Sequence, residues 1–218
     1  MIYLDDYNNV VNKVDYDYVF CSPPDFEHIG TDPSKPLVYQ DYLTQFIKKL
    51  QPKKNLITVA YSDRKFAGTI VSKATIVINA MQALGYSIKA HKIWVKTLKL
   101  DFFRPTFGNV ITFGKGNTKQ ARPRGVKEFQ PDVWVDGREN YNGYTHGMPV
   151  NVPKRCILNY TEKGDVVFDP FMGSGTTAIA CIETDRQYVG SEISEDCYEM
   201  TLKRILETEE KKAQTRCL

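Results

Sequence analysis

Short apolar runs alternate with amphipathic stretches along most of this chain. Ile2–Leu4, Tyr16–Cys21, Asn55–Ala60, His91–Val95, Val110–Phe113, Asp165–Phe168 and Tyr188–Glu192 read as strands. Tyr39–Leu50, Thr69–Leu84, Lys154–Tyr160, Thr176–Thr184 and Ser194–Glu209 read as helices. In the last of these, Tyr198, Leu202, Ile205 and Leu206 recur near helical spacing. Ser194 stands at its N-cap, with Cys197 where a capping box would have glutamate. Strands separated by helices predict an α/β fold with a mostly parallel sheet. His91–Val95 and Val110–Phe113 are joined by a short basic connection without a long helix, which predicts an antiparallel hairpin at one edge. From Gly114 to Thr145 the periodicity fades among Gly116, Pro123, Gly125, Pro131, Gly137 and Gly143. Residues 1–218 are thus expected to form a single domain with a short irregular insertion at about 115–145.

Composition narrows the class. A 42% hydrophobic, 25% charged chain is ordinary for a globular protein, which argues against disorder, collagen and coiled coil. No apolar run approaches the roughly 20 residues of a membrane helix. The start, MIYLDDYNNV, carries acids where a signal peptide would carry lysines. A soluble, cytoplasmic protein is expected. Five cysteines without a CxxC, an odd number, read as reduced thiols. Three histidines offer few zinc ligands, and no metal site is expected.

The net charge of +3 decides no partner, but its distribution is uneven. Lys89, Lys92, Lys96, Lys99 and Arg104 face one acid, Asp101. Lys115, Lys119, Arg122, Arg124 and Lys127 follow with no acid among them, whereas the stretch 192–210 is mostly acidic. A polyanion bound by the middle of the chain and a solvated basic loop both fit this pattern.

The most informative segment is Asp165-Val-Val-Phe-Asp-Pro-Phe-Met-Gly-Ser-Gly-Thr-Thr177. A strand ends, a glycine turn follows, and a helix opens near Thr176. Gly173 and Gly175 allow the backbone to approach a ligand, and amides at the helix start suit a carboxylate or phosphate. A P-loop needs lysine after its last glycine, where Thr176 stands. A dinucleotide fingerprint stays open in its looser form, with Ala178 in the last position. A third reading is an S-adenosylmethionine site. Glu192, ending the next strand, is suitably placed to accept hydrogen bonds from ribose hydroxyls.

A second turn follows the strand that ends at Cys21: Ser22-Pro-Pro-Asp-Phe26. Two prolines fix the backbone and remove donors. The Pro23 carbonyl and the Ser22 hydroxyl then form rigid neighbouring acceptors for an exocyclic NH2. Hydrogen bonds from both amino protons favour a pyramidal nitrogen whose lone pair attacks a sulfonium methyl in line. Positioning and electrostatics supply the rate, and Cys21 need not act as a nucleophile. Alone, the tripeptide is equally a rigid turn.

Together these segments resemble the amino-methylating DNA methyltransferases that make N4-methylcytosine and N6-methyladenine, in the permuted beta-class order. FDPFMGSGTT (Phe168–Thr177) resembles the family's cofactor motif and YVGSEIS (Tyr188–Ser194) its acidic ribose motif. HGMPVNVPKRCILNY (His146–Tyr160) resembles the segment that closes over the methionine end of the cofactor. IYLDDYNNVV (Ile2–Val11) resembles the opening strand, with Asp6 as the acid near the cofactor adenine. KIWVK (Lys92–Lys96) and FGNVITFGKG (Phe107–Gly116) resemble the strands of the edge hairpin.

The resemblance implies a seven-stranded Rossmann-like sheet, S-adenosyl-L-methionine as cofactor and double-stranded DNA as partner, with the target base flipped out of the stack. It carries cofactor contacts to Asp6, Asp169, Pro170, Phe171, Gly173, Ser174, Gly175, Thr176, Thr177 and Glu192. It carries catalysis to Ser22, Pro23, Pro24, Asp25 and Phe26. Serine at the head of that motif is the family's usual choice for cytosine N4. Adenine N6, a catalytically silent DNA-binding homologue and an RNA methyltransferase are the alternatives. Asp25 departs from the pattern, because the family usually places there an aromatic that stacks on the base. Either Phe26 takes that role, or Asp25 hydrogen-bonds the base edge, or catalysis is impaired. Lys115, Lys119, Arg122, Arg124 and Lys127 are the candidate phosphate contacts. So short a recognition segment suits a short or degenerate site, a homodimer or single-stranded DNA. Of the two tryptophans, Trp94 reads as core and Trp134 as the better candidate for stacking on a base.

Overall fold

The computed structural model describes residues 1–99, 105–116, 131–137, 139–141 and 144–216. Arg104, Lys119, Arg122, Arg124 and Lys127 lie outside the described residues.

Successive residues of β2 (Tyr18–Cys21) point to opposite sides of the main sheet, and all four are buried. Tyr18 and Phe20 pack on one side with Val152, Cys156, Ile157, Ala180 and Cys181 of helices α4 (Asn151–Tyr160) and α5 (Thr176–Glu183). Val19 and Cys21 pack on the other with Leu43, Phe46, Ile76 and Met81 of α2 (Pro36–Lys49) and α3 (Lys73–Ala83). β3 (Leu56–Tyr61) is likewise buried throughout, which is why both strands read as near-continuous apolar runs.

The sheet begins with β1 (Ile2–Leu4), β12 (Gln187–Glu192), β11 (Val166–Asp169), β2 and β3, each parallel to its neighbour. β7 (Phe107–Lys115) joins antiparallel to β3, and β6 (Tyr86–Val95) antiparallel to β7, so the expected edge hairpin is present. Among the described residues the sheet has eight strands rather than seven. The additional one, β8 (Val133–Val135), pairs parallel to β6 from within the stretch expected to be irregular. β9 (Glu139–Tyr141) and β10 (Tyr144–Gly147) form a small separate hairpin from the same stretch.

The helix expected over Thr69–Leu84 starts later. Thr69–Val71 is β5, hairpin-paired with β4 (Arg64–Phe66), and Ser72 caps α3 by accepting the Thr75 amide at 3.3 Å. Ala67 and Gly68 both have positive φ, the requirement of a two-residue hairpin turn, and β-branched Thr69, Ile70 and Val71 suit the strand. The remaining α-helices are α1 (Tyr7–Val10) and α6 (Glu195–Arg216), the latter capped by Ser194 accepting the Cys197 amide at 3.4 Å, and Phe26–Ile29 forms a 3-10 turn. No helix among the described residues is long and apolar enough to cross a membrane.

Candidate functional site

The five parallel strands end on one edge, and the predicted site residues follow the ends of four of them. β1 leads into Asp6, β12 ends at Glu192, β11 ends at Asp169, and β2 runs into Ser22. Leu4 pairs with Glu192, Asp169 with Gly190, and Phe168 with Val19. The register therefore brings together residues that are distant in sequence.

The glycine turn is held from below and from both flanks. Asp169 is buried and accepts the Phe171 amide at 3.0 Å and the Thr177 hydroxyl at 2.5 Å. Burial pushes its carboxyl up to about 7, with the Glu192 charge adding to the rise and the two hydrogen bonds opposing it. Glu192 accepts the Gly173 amide at 2.7 Å and the Ser194 amide at 2.9 Å, so this acid already spans strand end and turn. Pro170 offers its carbonyl to Ser191 at 2.9 Å, and Phe171 packs its ring against Tyr7 and Phe46. Asp6 caps α1 by accepting the Asn8 amide at 2.8 Å.

The two glycines do different work. At Gly173 (φ +55) a Cβ would meet nothing nearer than the Phe171 carbonyl at 3.8 Å, so the backbone is open to a ligand. At Gly175 (φ +80) a Cβ would lie 2.7 Å from Thr201 Cγ2, so the missing side chain serves the close approach of α6 instead. Arg204 of α6 is also drawn in. Its Nη1 donates to the Ser174 carbonyl at 2.8 Å and its Nη2 to Glu139 at 3.2 Å, tying the turn to the β9–β10 hairpin. Thr176 is buried and donates to the Met148 carbonyl at 3.3 Å.

The Ser-Pro-Pro turn stands beside it. Ser22 is exposed, Pro23 buried and Pro24 half-buried. Tyr39 of α2 donates its hydroxyl to the Pro24 carbonyl at 2.8 Å and stacks on Phe26 with centroids 4.3 Å apart. Phe26 is fully buried there, so its ring faces Tyr39 rather than a base. Asp25 pairs with Lys73 Nζ at 2.7 Å. The buried Cys21 thiol is pushed well up by burial and then by the Asp169 charge, so it is not a ready thiolate.

One expectation is corrected, that for Trp134. Trp134 is 2% exposed and pairs in register with Trp94, because β8 folds into the sheet; both indoles are core. Lys115 ends β7, which runs antiparallel to β3, so it sits at the edge opposite Ser22, with its ammonium 5.5 Å from the Tyr86 ring centroid. The side chain of His146 lies outside the described residues. Sequence reading missed Tyr39, Lys73 and Arg204, which act across 15, 48 and 30 residues of chain.

The N6/N4 DNA methylase family matches residues 16–203. The chain belongs to this family. Type II methyltransferase M.SmaI of Serratia marcescens is 36% identical over 85 residues, covering 38% of this chain and 29% of that relative. DNA adenine methyltransferase YhdJ of Escherichia coli strain K12 is 36% identical over 89 residues, covering 38% of this chain and 30% of that relative. The matches thus span under a third of either relative's length. Among solved DNA methylases, the cytosine-N4-specific PvuII DNA methyltransferase superposes with a TM-score of 0.77 at 18% identity, over 92% of this chain and 84% of its own. M1.HpyAVI, solved as its S-adenosylmethionine complex, superposes with a TM-score of 0.69 at 17% identity, over 94% and 98%. These similarities at low identity are similarities of fold.

Proposed function

We propose that this DNA methylase transfers a methyl group from S-adenosyl-L-methionine to the exocyclic N4 of a cytosine flipped out of DNA. The observation that carries this reading is the adjacency of two turns on neighbouring parallel strands. The Ser22–Pro24 turn follows β2, and the Gly173–Thr177 turn follows β11.

The donor set suits the cofactor. Glu192 would hold the ribose hydroxyls, Asp6 lies along the same strand edge for the adenine, and Asp169 at the end of β11 holds the glycine turn through Phe171 and Thr177. The first turn of α5 lacks a side-chain cap, which leaves its amides suited to the carboxylate of the methionine end. When bound, S-adenosylmethionine supplies an electrophilic methyl on a sulfonium.

The chain's own residues prepare the nucleophile. The Ser22 hydroxyl and Pro23 carbonyl accept hydrogen bonds from the two amino protons of the base. The nitrogen would become pyramidal and its lone pair would form the new N–C bond as the sulfonium S–CH3 bond breaks, that bond's electron pair staying on sulfur to leave a neutral thioether; one of the two amino protons would then leave to water. Positioning and electrostatics, with the acceptors held rigidly, supply the rate, with no covalent enzyme intermediate. Cytosine is favoured by Ser22 at the head of the motif; the similarity to YhdJ keeps adenine N6 as the second reading. Lys96 bonds Ser62 just beyond β3, on the same edge as Ser22, and is a better-placed phosphate contact than Lys115.

Transfer of tritiated methyl from S-adenosylmethionine to duplex DNA, counted on filters, tests the reading. Counts above blank that vanish in Ser22→Ala are expected. Counts unchanged by Ser22→Ala would remove the role given to this turn.

A further inference from the structure

Lys73 occupies an unfavourable place twice over. Its side chain is only 5% exposed, and it is the first residue of α3, where the helix dipole opposes a cation. It pairs with Asp25, whose side chain is 38% exposed beside the Ser-Pro-Pro turn. The ammonium also lies 5.4 Å from the ring centroid of Tyr39, the residue that holds the Pro24 carbonyl and stacks on Phe26. One buried cation thus grips the turn directly through Asp25 and touches its other brace.

We infer that Lys73 is a positioning residue for methyl transfer: through Asp25 it fixes the backbone that presents Ser22 and the Pro23 carbonyl to the target amino group. This inference rests on the methyl-transfer reading above. It gives Asp25 a role, as the partner of Lys73, that needs no contact to the base edge. The pair reaches the reaction only through the turn, so its loss displaces the acceptors and leaves the cofactor residues on β11 and β12 in place.

The test is a double-mutant cycle of Lys73→Met and Asp25→Asn, with Lys73→Arg as the conservative variant. Methyl transfer kcat and dissociation constants for S-adenosylmethionine are measured, together with amide hydrogen exchange of residues 22–30. Each single variant is expected to lose about tenfold to a hundredfold in kcat, the scale of a small misplacement of reacting groups. S-adenosylmethionine affinity should stay within about twofold, and the 22–30 amides should exchange at least about tenfold faster. The double variant should lose no more than the worse single one, and Lys73→Arg should recover most of the rate. Additive losses, or losses matched by weaker S-adenosylmethionine binding, would overturn the inference. If the parent transfers no methyl, the functional reading fails instead. The exchange comparison then decides the clamp by itself: unchanged protection of 22–30 in Lys73→Met removes it.

Discussion

Thr177 donates its hydroxyl to Asp169 across the glycine turn at 2.5 Å, and the carboxyl that receives it is buried. Burial raises Asp169 from 3.8 to about 7. The folded state therefore holds this proton more tightly than the unfolded chain. The stability it contributes is complete below about pH 4 and is lost as pH rises to about 7. Urea unfolding midpoints of Asp169→Asn and the parent should diverge over this window. The variant, which carries a neutral amide at every pH, should gain on the parent as pH increases. Parallel curves from pH 4.5 to 8 would contradict the assignment.

Glu192 accepts two amides and is the residue proposed to hold the ribose. In Glu192→Gln one oxygen becomes a donor that faces donors. Hydrogen bonds to charged groups are each worth about 1.5–3 kcal/mol, so affinity for S-adenosylmethionine should fall by about tenfold or more. Calorimetric titration reads this directly, and unchanged affinity would place the ribose elsewhere.

Much of this edge was legible because its signals are local. Strand, glycine turn and helix follow one another from Asp165 to Thr184, and Glu192 closes the next strand. The Asp25–Lys73 pair was illegible because its partners are 48 residues apart and meet only after α3 packs on the sheet. The Thr69–Val71 strand was hidden because a short apolar run at the head of a helix fits either period. Trp134 misled because glycine and proline around it mask a strand as short as Val133–Val135. The edge that Lys115 reaches was illegible because a charge run does not say where it lies on the sheet; the direction of β7 decides that.

Arg204 is 9% exposed and bridges Ser174 to Glu139. Arg204→Met should destabilise the protein by about 1–3 kcal/mol, the cost of leaving the carbonyl of the buried Ser174 without its donor. Arg204→Lys should recover only part of this, since a single ammonium lacks the fork that reaches both partners. Denaturant midpoints equal to the parent's for both variants would show that the bridge contributes nothing.

Lys96 and Lys115 sit at opposite edges of the sheet, which gives the proposed DNA contact a control. Lys96→Ala should weaken binding and reduce the salt slope by about one, as loss of a phosphate contact does. Lys115→Ala should leave both unchanged in fluorescence anisotropy at fixed salt. The reverse pattern would put the DNA on the other edge of the sheet.

The central claim is the transfer of a methyl group to the N4 of cytosine at the Ser22 turn. It is tested most directly by mass spectrometry of nucleosides from DNA incubated with the protein and isotopically labelled S-adenosylmethionine. The account predicts labelled N4-methyldeoxycytidine. Label only in N6-methyldeoxyadenosine would contradict the choice of base, and no label in double- or single-stranded DNA of varied sequence would contradict the reaction.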